Sequence, residues 1–400
     1  MESKKHILFI SSWYPNRNKP THGIFNRCFA EAAALHSRVS VLHVCSDESL
    51  LSDTELSWQE DGQITTLVVY YKKITSSLPL VSQWQKRKSV IAAFELGYEK
   101  LIEKAGRPDL IQLNVIMPAG IGVLHLAKKY GLPFVINEAW TGYCPEDGSY
   151  KGLLQRYMTQ KIAAQAKAIM PVSEFLKQAM LSHGLNGYYV VVPNVVDIHV
   201  FVPQPKPESA ITNYLHVSTL DDVQKNVSGT IRAFAAALKS EPRLQLTIVG
   251  DGPERNGLEQ LAKELQVHEK IVFKGRLTTA EIVSEINRAD AMVLFSNYET
   301  FSLAVAETFA CGKPVIVSRA GGLTDLVTPD LGISIEKRHE DQLSEALVHF
   351  SKNKSHYDPA HIRQFVTDRF SKEKIAEQLN AVYEEILTVD KTMHTIKEKA

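Results

Sequence analysis

Apolar residues recur along the chain in short β-branched runs separated by longer stretches with helical spacing. In the first half the runs are HILFISS, VSVLHV, ITTLVVYY, LIQLNV, FVINEAW, AIMPVS and YVVVP, and in the second YLHVSTL, LQLTIVG, KIVFKG, AMVLFS, PVIVS and LGISI. Such alternation predicts parallel strands joined by crossover helices. Between the two series, VVDIHVFVPQPKPESAIT carries Pro203, Pro205 and Pro207, which deny both helix and central strand and mark a linker. The pattern therefore predicts an α/β chain of two Rossmann-like, doubly wound domains, over 1–200 and 208–370. Open parallel sheets bind ligands at the carboxyl ends of their strands, so two such domains facing one another are expected to hold a ligand in the cleft between them. Near the end, FSKEKIAEQLNAVYEEIL has helical periodicity through Ile375, Leu379, Val382 and Ile386, and 391–400 reads as a frayed tail.

Length agrees with two domains, since 400 residues exceed what one core usually serves. The 45 basic and 45 acidic residues cancel without long runs of one sign, which argues against a nucleic-acid partner. Cys28, Cys45, Cys144 and Cys311 are scattered without C-x-x-C spacing, and the N-terminus runs from charge straight into a strand. A reduced, cytoplasmic chain is expected. No segment approaches the roughly 20 apolar residues of a membrane-spanning helix, so any membrane contact is expected to be peripheral, at the inner face of the cytoplasmic membrane.

Candidate chemistry concentrates in NYETFSLAVAETFACGKPVI, residues 297–316. AMVLFSN reads as a buried strand, NYET as the loop leaving it, and FSLAVAETFACG as a helix closed by Gly312. Unpaired N–H groups of Phe301, Ser302 and Leu303 at that helix start would suit a diphosphate. Glu307, on the second turn, could accept two hydrogen bonds from a ribose diol, and Glu299 could do so from a sugar ring. Each glutamate alone is equally an exposed acid, and the surroundings decide. IVGDGP is not a dinucleotide fingerprint, because the third glycine position falls at Arg255.

The segment 299–307 resembles the E-x7-E signature of the retaining glycosyltransferases of family 4, which have the GT-B fold. Further motifs stand in that family's order: WYPNRNKPTHGIF, MPAGIGVLHLAKKYGLPFVINEAWTGY, VPNVVD, LDDVQKN, IVGDGP, FKGR and ETFSLAVAETFACGKPVIVSRAGGLTDLV. The resemblance implies that Glu307 binds the nucleotide ribose, Glu299 the donor sugar, and the backbone at Phe301 to Leu303 the diphosphate. It implies that Lys225 neutralises the leaving diphosphate, that Gly23, Gly250 and Gly252 let backbone pass close to the donor, and that the FKGR loop contacts the base. It also implies that the last helix, 371–390, crosses back to the first domain. Two positions depart from the pattern: Thr219 stands where an arginine is usual, with Arg276 a candidate replacement, and Ala139 where a histidine often faces the donor sugar. Glu138 and Trp140 flank Ala139 and either face the cleft or pack locally.

No aspartates stand two apart, and the fourteen histidines show no zinc-like clustering with cysteine. Binding of a UDP- or GDP-sugar without an obligatory metal or other cofactor is therefore expected. Residues 78–105 join Trp84, Phe94 and Tyr98 to Lys86, Arg87 and Lys88, which suits either an anionic bilayer or an ordinary crossover helix. The expected activity is transfer of a sugar to a glycan or lipid-linked acceptor in surface-polysaccharide assembly. A sugar-nucleotide epimerase of the same fold and a non-catalytic nucleotide-sugar-binding partner are the alternatives.

Overall fold

The apolar runs form two sheets, one in each of two units, in a computed structural model that describes residues 4–72 and 79–398. The first unit comprises Met1–Trp140, Tyr150–Val195 and Lys372–Ala400, and the second Thr141–Ser149 and Val196–Ser371. Thr141–Ser149, expected with the first domain, thus groups with the second unit.

The first sheet contains β1 (His6–Ser11), β2 (Arg38–Ser46), β3 (Thr54–Asp61), β4 (Ile64–Tyr71), β5 (Leu110–Asn114), β6 (Phe134–Glu138) and β7 (Ile169–Pro171), in the order β3-β4-β2-β1-β5-β6-β7. All six residues of β1 are buried, as a central strand with both faces covered requires. β3 was not expected. Its sequence TELSWQED is largely exposed, and it pairs antiparallel to β4 across Gly62-Gln63. YVVVP, expected as a strand, instead runs beside β7 as an extended segment with one isolated bridge, Ile169 to Tyr189. Its backbone is held by Val190 N–H to Ile169 O and Val192 N–H to Pro171 O.

The second sheet contains β8 (Thr212–Val217), β9 (Leu244–Val249), β10 (Ile271–Gly275), β11 (Ala291–Leu294), β12 (Val315–Ser318) and β13 (Gly332–Ile335), all parallel, in the order β10-β9-β8-β11-β12-β13. Strand order reverses between β8 and β11, so the loops leaving those two strands diverge and open a crevice. In the first sheet the corresponding reversal lies between β1 and β5.

The proline-rich segment is fastened to the second unit. The Arg363 guanidinium donates to the carbonyls of Ile198 and Phe201, both at 2.8 Å. Asn287 accepts from Gln204 N–H at 2.7 Å and donates to Val202 O at 3.0 Å.

The helix Pro79–Ala105 packs on the first sheet, as a crossover helix does. Phe94 and Tyr98 are buried in the core, while Arg87 and Lys88 are exposed. The side chains of Trp84 and Lys86, and all of Leu78, lie outside the described residues.

The last helix runs Lys372–Glu398 and belongs to the first unit, so 391–398 continues it rather than forming a separate tail; Lys399 and Ala400 lie outside the described residues. Ile375, Leu379 and Val382 are buried on the periodic face read from the sequence. Fully buried Tyr383 donates its hydroxyl to Gln112 Oε1. Gln112 then donates to Asn114 Oδ1 at 2.8 Å, and Asn114 to Ser11 Oγ at 3.2 Å, a buried polar chain reaching the carboxyl ends of β1 and β5. Replacing Tyr383 by Phe leaves a buried acceptor unpaired, so the Tyr383→Phe variant is expected to lose about 1–2 kcal/mol in denaturant unfolding. A loss indistinguishable from zero would show that the chain carries no stability.

Candidate functional site

Three loops of the second unit converge where β8, β11 and β12 end. After β8 the chain turns through Ser218–Asp221 into a short helix, Asp222–Lys225, whose cap Asp221 accepts from Gln224 N–H at 3.3 Å. The loop after β11 is tied to it: Asn297 N–H donates to Gln224 O and its side-chain amide to Val223 O, both at 2.8 Å. The loop after β12 is tied in turn, by Gly322 N–H to Glu299 O at 2.9 Å and Ser318 Oγ to Ser296 O at 2.5 Å.

These loops bring Lys225 and Glu299 together. Lys225 Nζ lies 2.5 Å from Glu299 Oε1, which also accepts from Ser296 Oγ at 2.9 Å. The side chains are only 14% and 6% exposed, so the pair is almost fully withdrawn from water. It spans the β8/β11 reversal. Beneath it, buried His216 on β8 meets Ser218 Oγ at 2.7 Å and Val293 O at 3.0 Å, and burial pushes its imidazole down to about 4, which keeps it neutral.

Glu307 lies in the helix Leu303–Ala310, and no hydrogen bond or ion pair engages its carboxylate among the described residues. Burial pushes that carboxyl up to about 8. The helix starts at Leu303, two residues later than expected, because Ser302 takes a left-handed φ of 73° and ends the approach loop. The orphan donors of the first turn are accordingly the N–H groups of Leu303, Ala304 and Val305. No side chain caps them. The Phe301 ring packs edge-on to Phe370 at 5.2 Å.

The glycines act one step back from the crevice. A Cβ at Gly250 would collide with the Ser218 carbonyl oxygen, and one at Gly252 with that of Leu220, so both admit the loop that bears exposed Thr219. Arg276 leaves β10 with its side chain 79% exposed and Asp251 at 3.7 Å, and among the described residues no contact joins it to the Lys225–Glu299 pair. Two cations were not read from the sequence as site candidates. Arg255 lies 3.9 Å from the same Asp251, and Arg338, at a left-handed φ of 64°, donates to Asn297 Oδ1 at 3.2 Å.

In the first unit, Gly23 precedes the helix Ile24–Ala33 at a φ of 71° and packs against the Trp13 backbone, whose carbonyl accepts from Asn26 at 2.7 Å. The loop leaving β5 holds Val115 at a φ of 61°, unusual for a β-branched residue, and Ser12 Oγ fastens it by donating to Val115 O at 2.7 Å and accepting from Ala119 N–H at 2.9 Å. Glu138 packs locally. Fully buried, it accepts the N–H groups of Ile116, Ala139 and Trp140, each at 2.9 Å, and burial raises its carboxyl above the ordinary value against the pull of those donors. Trp140 meets Tyr150 edge-on at 6.2 Å.

Residues 23–200 match the family model described as Glycosyltransferase Family 4, and residues 212–365 the model Glycosyl transferases group 1. The chain belongs to glycosyltransferase family 4. Among relatives of this chain, N-acetyl-alpha-D-glucosaminyl L-malate synthase of Bacillus anthracis is 30% identical over 212 residues, 50% of this chain and 54% of that one. Alpha-monoglucosyldiacylglycerol synthase of Streptococcus pneumoniae is 25% identical over 58% of this chain and 57% of its own. The matched stretches thus span little more than half of these relatives. The fold is that of sucrose-phosphate synthase from Thermosynechococcus elongatus, with a TM-score of 0.75 at 20% identity over 96% of this chain and 100% of that one. It is equally that of Anabaena HepE solved with UDP, with a TM-score of 0.72 at 18% identity over 95% and 100%.

Two outcomes follow from the geometry. Lys225→Met strands a nearly buried carboxylate and should cost about 3 kcal/mol of unfolding free energy, most of it recovered when Glu299→Gln is added in the double variant Lys225→Met/Glu299→Gln. Purely additive losses in that cycle would show that the two groups do not interact. For Glu307, the folded value of about 8 lies above the ordinary 4.5, so the burden of ionising it is absent below pH 4.5, grows as pH rises and is complete above about 8. Glu307→Gln should therefore gain Tm over the parent progressively across that window, and a constant difference in Tm would contradict the assignment.

Proposed function

We propose that this protein is a retaining glycosyltransferase that moves a sugar from a UDP- or GDP-sugar to a glycan or lipid-linked acceptor in surface-polysaccharide assembly. The observation that carries the reading is the Lys225–Glu299 pair at the β8/β11 reversal, followed by a helix whose start no side chain caps and whose Glu307 carboxylate has no bonding partner among the described residues. In this reading the first-turn N–H groups and Lys225 hold the diphosphate, Glu307 accepts from the ribose diol, and Glu299 accepts from the sugar once Lys225 turns to phosphate.

The transfer is a front-face displacement. The bond from the anomeric carbon to the diphosphate oxygen breaks, the acceptor oxygen bonds to that carbon from the same face, and its proton passes to the departing phosphate. Lys225 stabilises the charge that accumulates there. Among the described residues no group of three or more His, Cys, Asp or Glu is arranged to hold a metal ion. No helix among the described residues is long and apolar enough to cross a membrane.

Thermal-shift titration with UDP, GDP and ADP tests the reading, because a ligand of the native state raises apparent stability. One nucleotide should stabilise the parent and fail to stabilise Glu307→Ala. With the matching sugar nucleotide, Lys225→Ala should lower kcat by about 100-fold, as removal of one oxyanion-stabilising group does. EDTA should leave turnover unchanged, and the product's anomeric proton coupling should equal the donor's. No stabilisation by any of the three, in folded protein, would sink the reading, and stabilisation without turnover on any acceptor would favour the non-catalytic nucleotide-sugar-binding partner. Interconversion of sugar nucleotides without release of nucleoside diphosphate would favour an epimerase.

A further inference from the structure

The helix Leu153–Gln165 of the first unit carries its largest apolar side chains on the outside. Leu153 is 87% exposed, Leu154 69% and Tyr157 60%. At 3.6 residues per turn these three and Lys161 fall within about 100° of arc. The opposite side holds buried Met158, Thr159, Ile162 and Ala163, which already supply what the core needs from this helix. The exposed leucines are therefore not an underfilled core contact. Scattered exposed apolar residues are ordinary, but three contiguous ones on one helical face are not.

Charge says what such a face meets. From Gly148 to Ser173 the chain carries Lys151, Arg156, Lys161 and Lys167 and not one Asp or Glu. Lys151, Arg156 and Lys161 are exposed, and Lys161 Nζ sits 5.9 Å from the centre of the Tyr157 ring, placing a cation at the rim of the apolar patch. A second copy of the chain meeting this face about a two-fold axis would set like charges together. Phosphate groups above a hydrocarbon layer complement it on both counts.

We propose that this helix is an interfacial membrane contact: Leu153, Leu154 and Tyr157 enter the acyl boundary of an anionic bilayer while Lys151, Arg156 and Lys161 pair with lipid phosphates. The contact is distinct from the helix Pro79–Ala105, whose Phe94 and Tyr98 are buried. It goes beyond the transfer reading, since binding to vesicles is measured with neither donor nor acceptor present and stands or falls separately from turnover.

The experiment is flotation of the full chain with vesicles of phosphatidylcholine alone and of phosphatidylcholine mixed with phosphatidylglycerol. The parent should float only with the mixed vesicles, less so as salt rises. Leu153→Glu/Leu154→Glu should abolish flotation without moving the Tm, since both side chains are exposed, and removal of each cation by Lys151→Ala, Arg156→Ala or Lys161→Ala should weaken it about five-fold. No flotation of the parent at low salt would overturn the proposal, as would flotation that survives the double leucine variant. An oligomer of the parent that the leucine variant dissolves, with no vesicle binding, would overturn it in favour of self-association.

Discussion

The ion pair between Lys225 and Glu299 is the contact on which the candidate site depends. Its members lie in loops that leave different strands, β8 and β11, at the place where those loops would otherwise part company. Either charge alone at that depth would be expensive, so the pair holds each loop to the position of the other. Glu307, a short distance on in sequence, is the opposite case: a half-buried carboxylate with no bonding partner among the described residues, whose desolvation raises the cost of ionising it. One acid is answered within the protein and the other is left to be answered from outside.

Backbone does much of the remaining work. Gly250 and Gly252 accommodate the carbonyls of Ser218 and Leu220, and Gly322 N–H reaches the carbonyl of Glu299, so the crevice walls are set largely by main chain. The first unit uses a buried side chain to the same end, Glu138 gathering N–H groups from the loops after β5 and β6. One of those groups is the N–H of Ala139, the position where the resemblance led a histidine to be expected. The carboxylate next to the alanine is engaged by backbone alone.

Much of the fold was legible in the sequence because doubly wound sheets bury whole strands, and runs such as HILFIS and AMVL have no other explanation at that density. β3 escaped because an edge strand with exposed Glu, Gln and Asp has too little apolar content to register, although the Asp61-Gly62 turn was there to be read. YVVVP misled for the converse reason: it is apolar because it lies beside β7, without a ladder of its own. The E-x7-E spacing located Glu299 and Glu307, but neither the late helix start nor the ion pair could be read from it. The first depends on the backbone of Ser302, and the second on a lysine distant in sequence. In Pro79–Ala105, aromatic residues among lysines left a bilayer face and a crossover helix both open, and Phe94 and Tyr98 are buried as the crossover reading has them.

The return of the last helix has a consequence for how the molecule is made. Tyr383 completes a buried polar chain that begins at Gln112, and the helix bearing it packs against the first unit after the second has been traversed. A chain emerging from the ribosome can close the second unit while the first still shows the apolar groove that Ile375, Leu379 and Val382 will fill. The half made earliest is the half finished last, and its closure spans nearly the whole length of the polypeptide, the kind of long-range pairing that slows folding and prolongs exposure to aggregation.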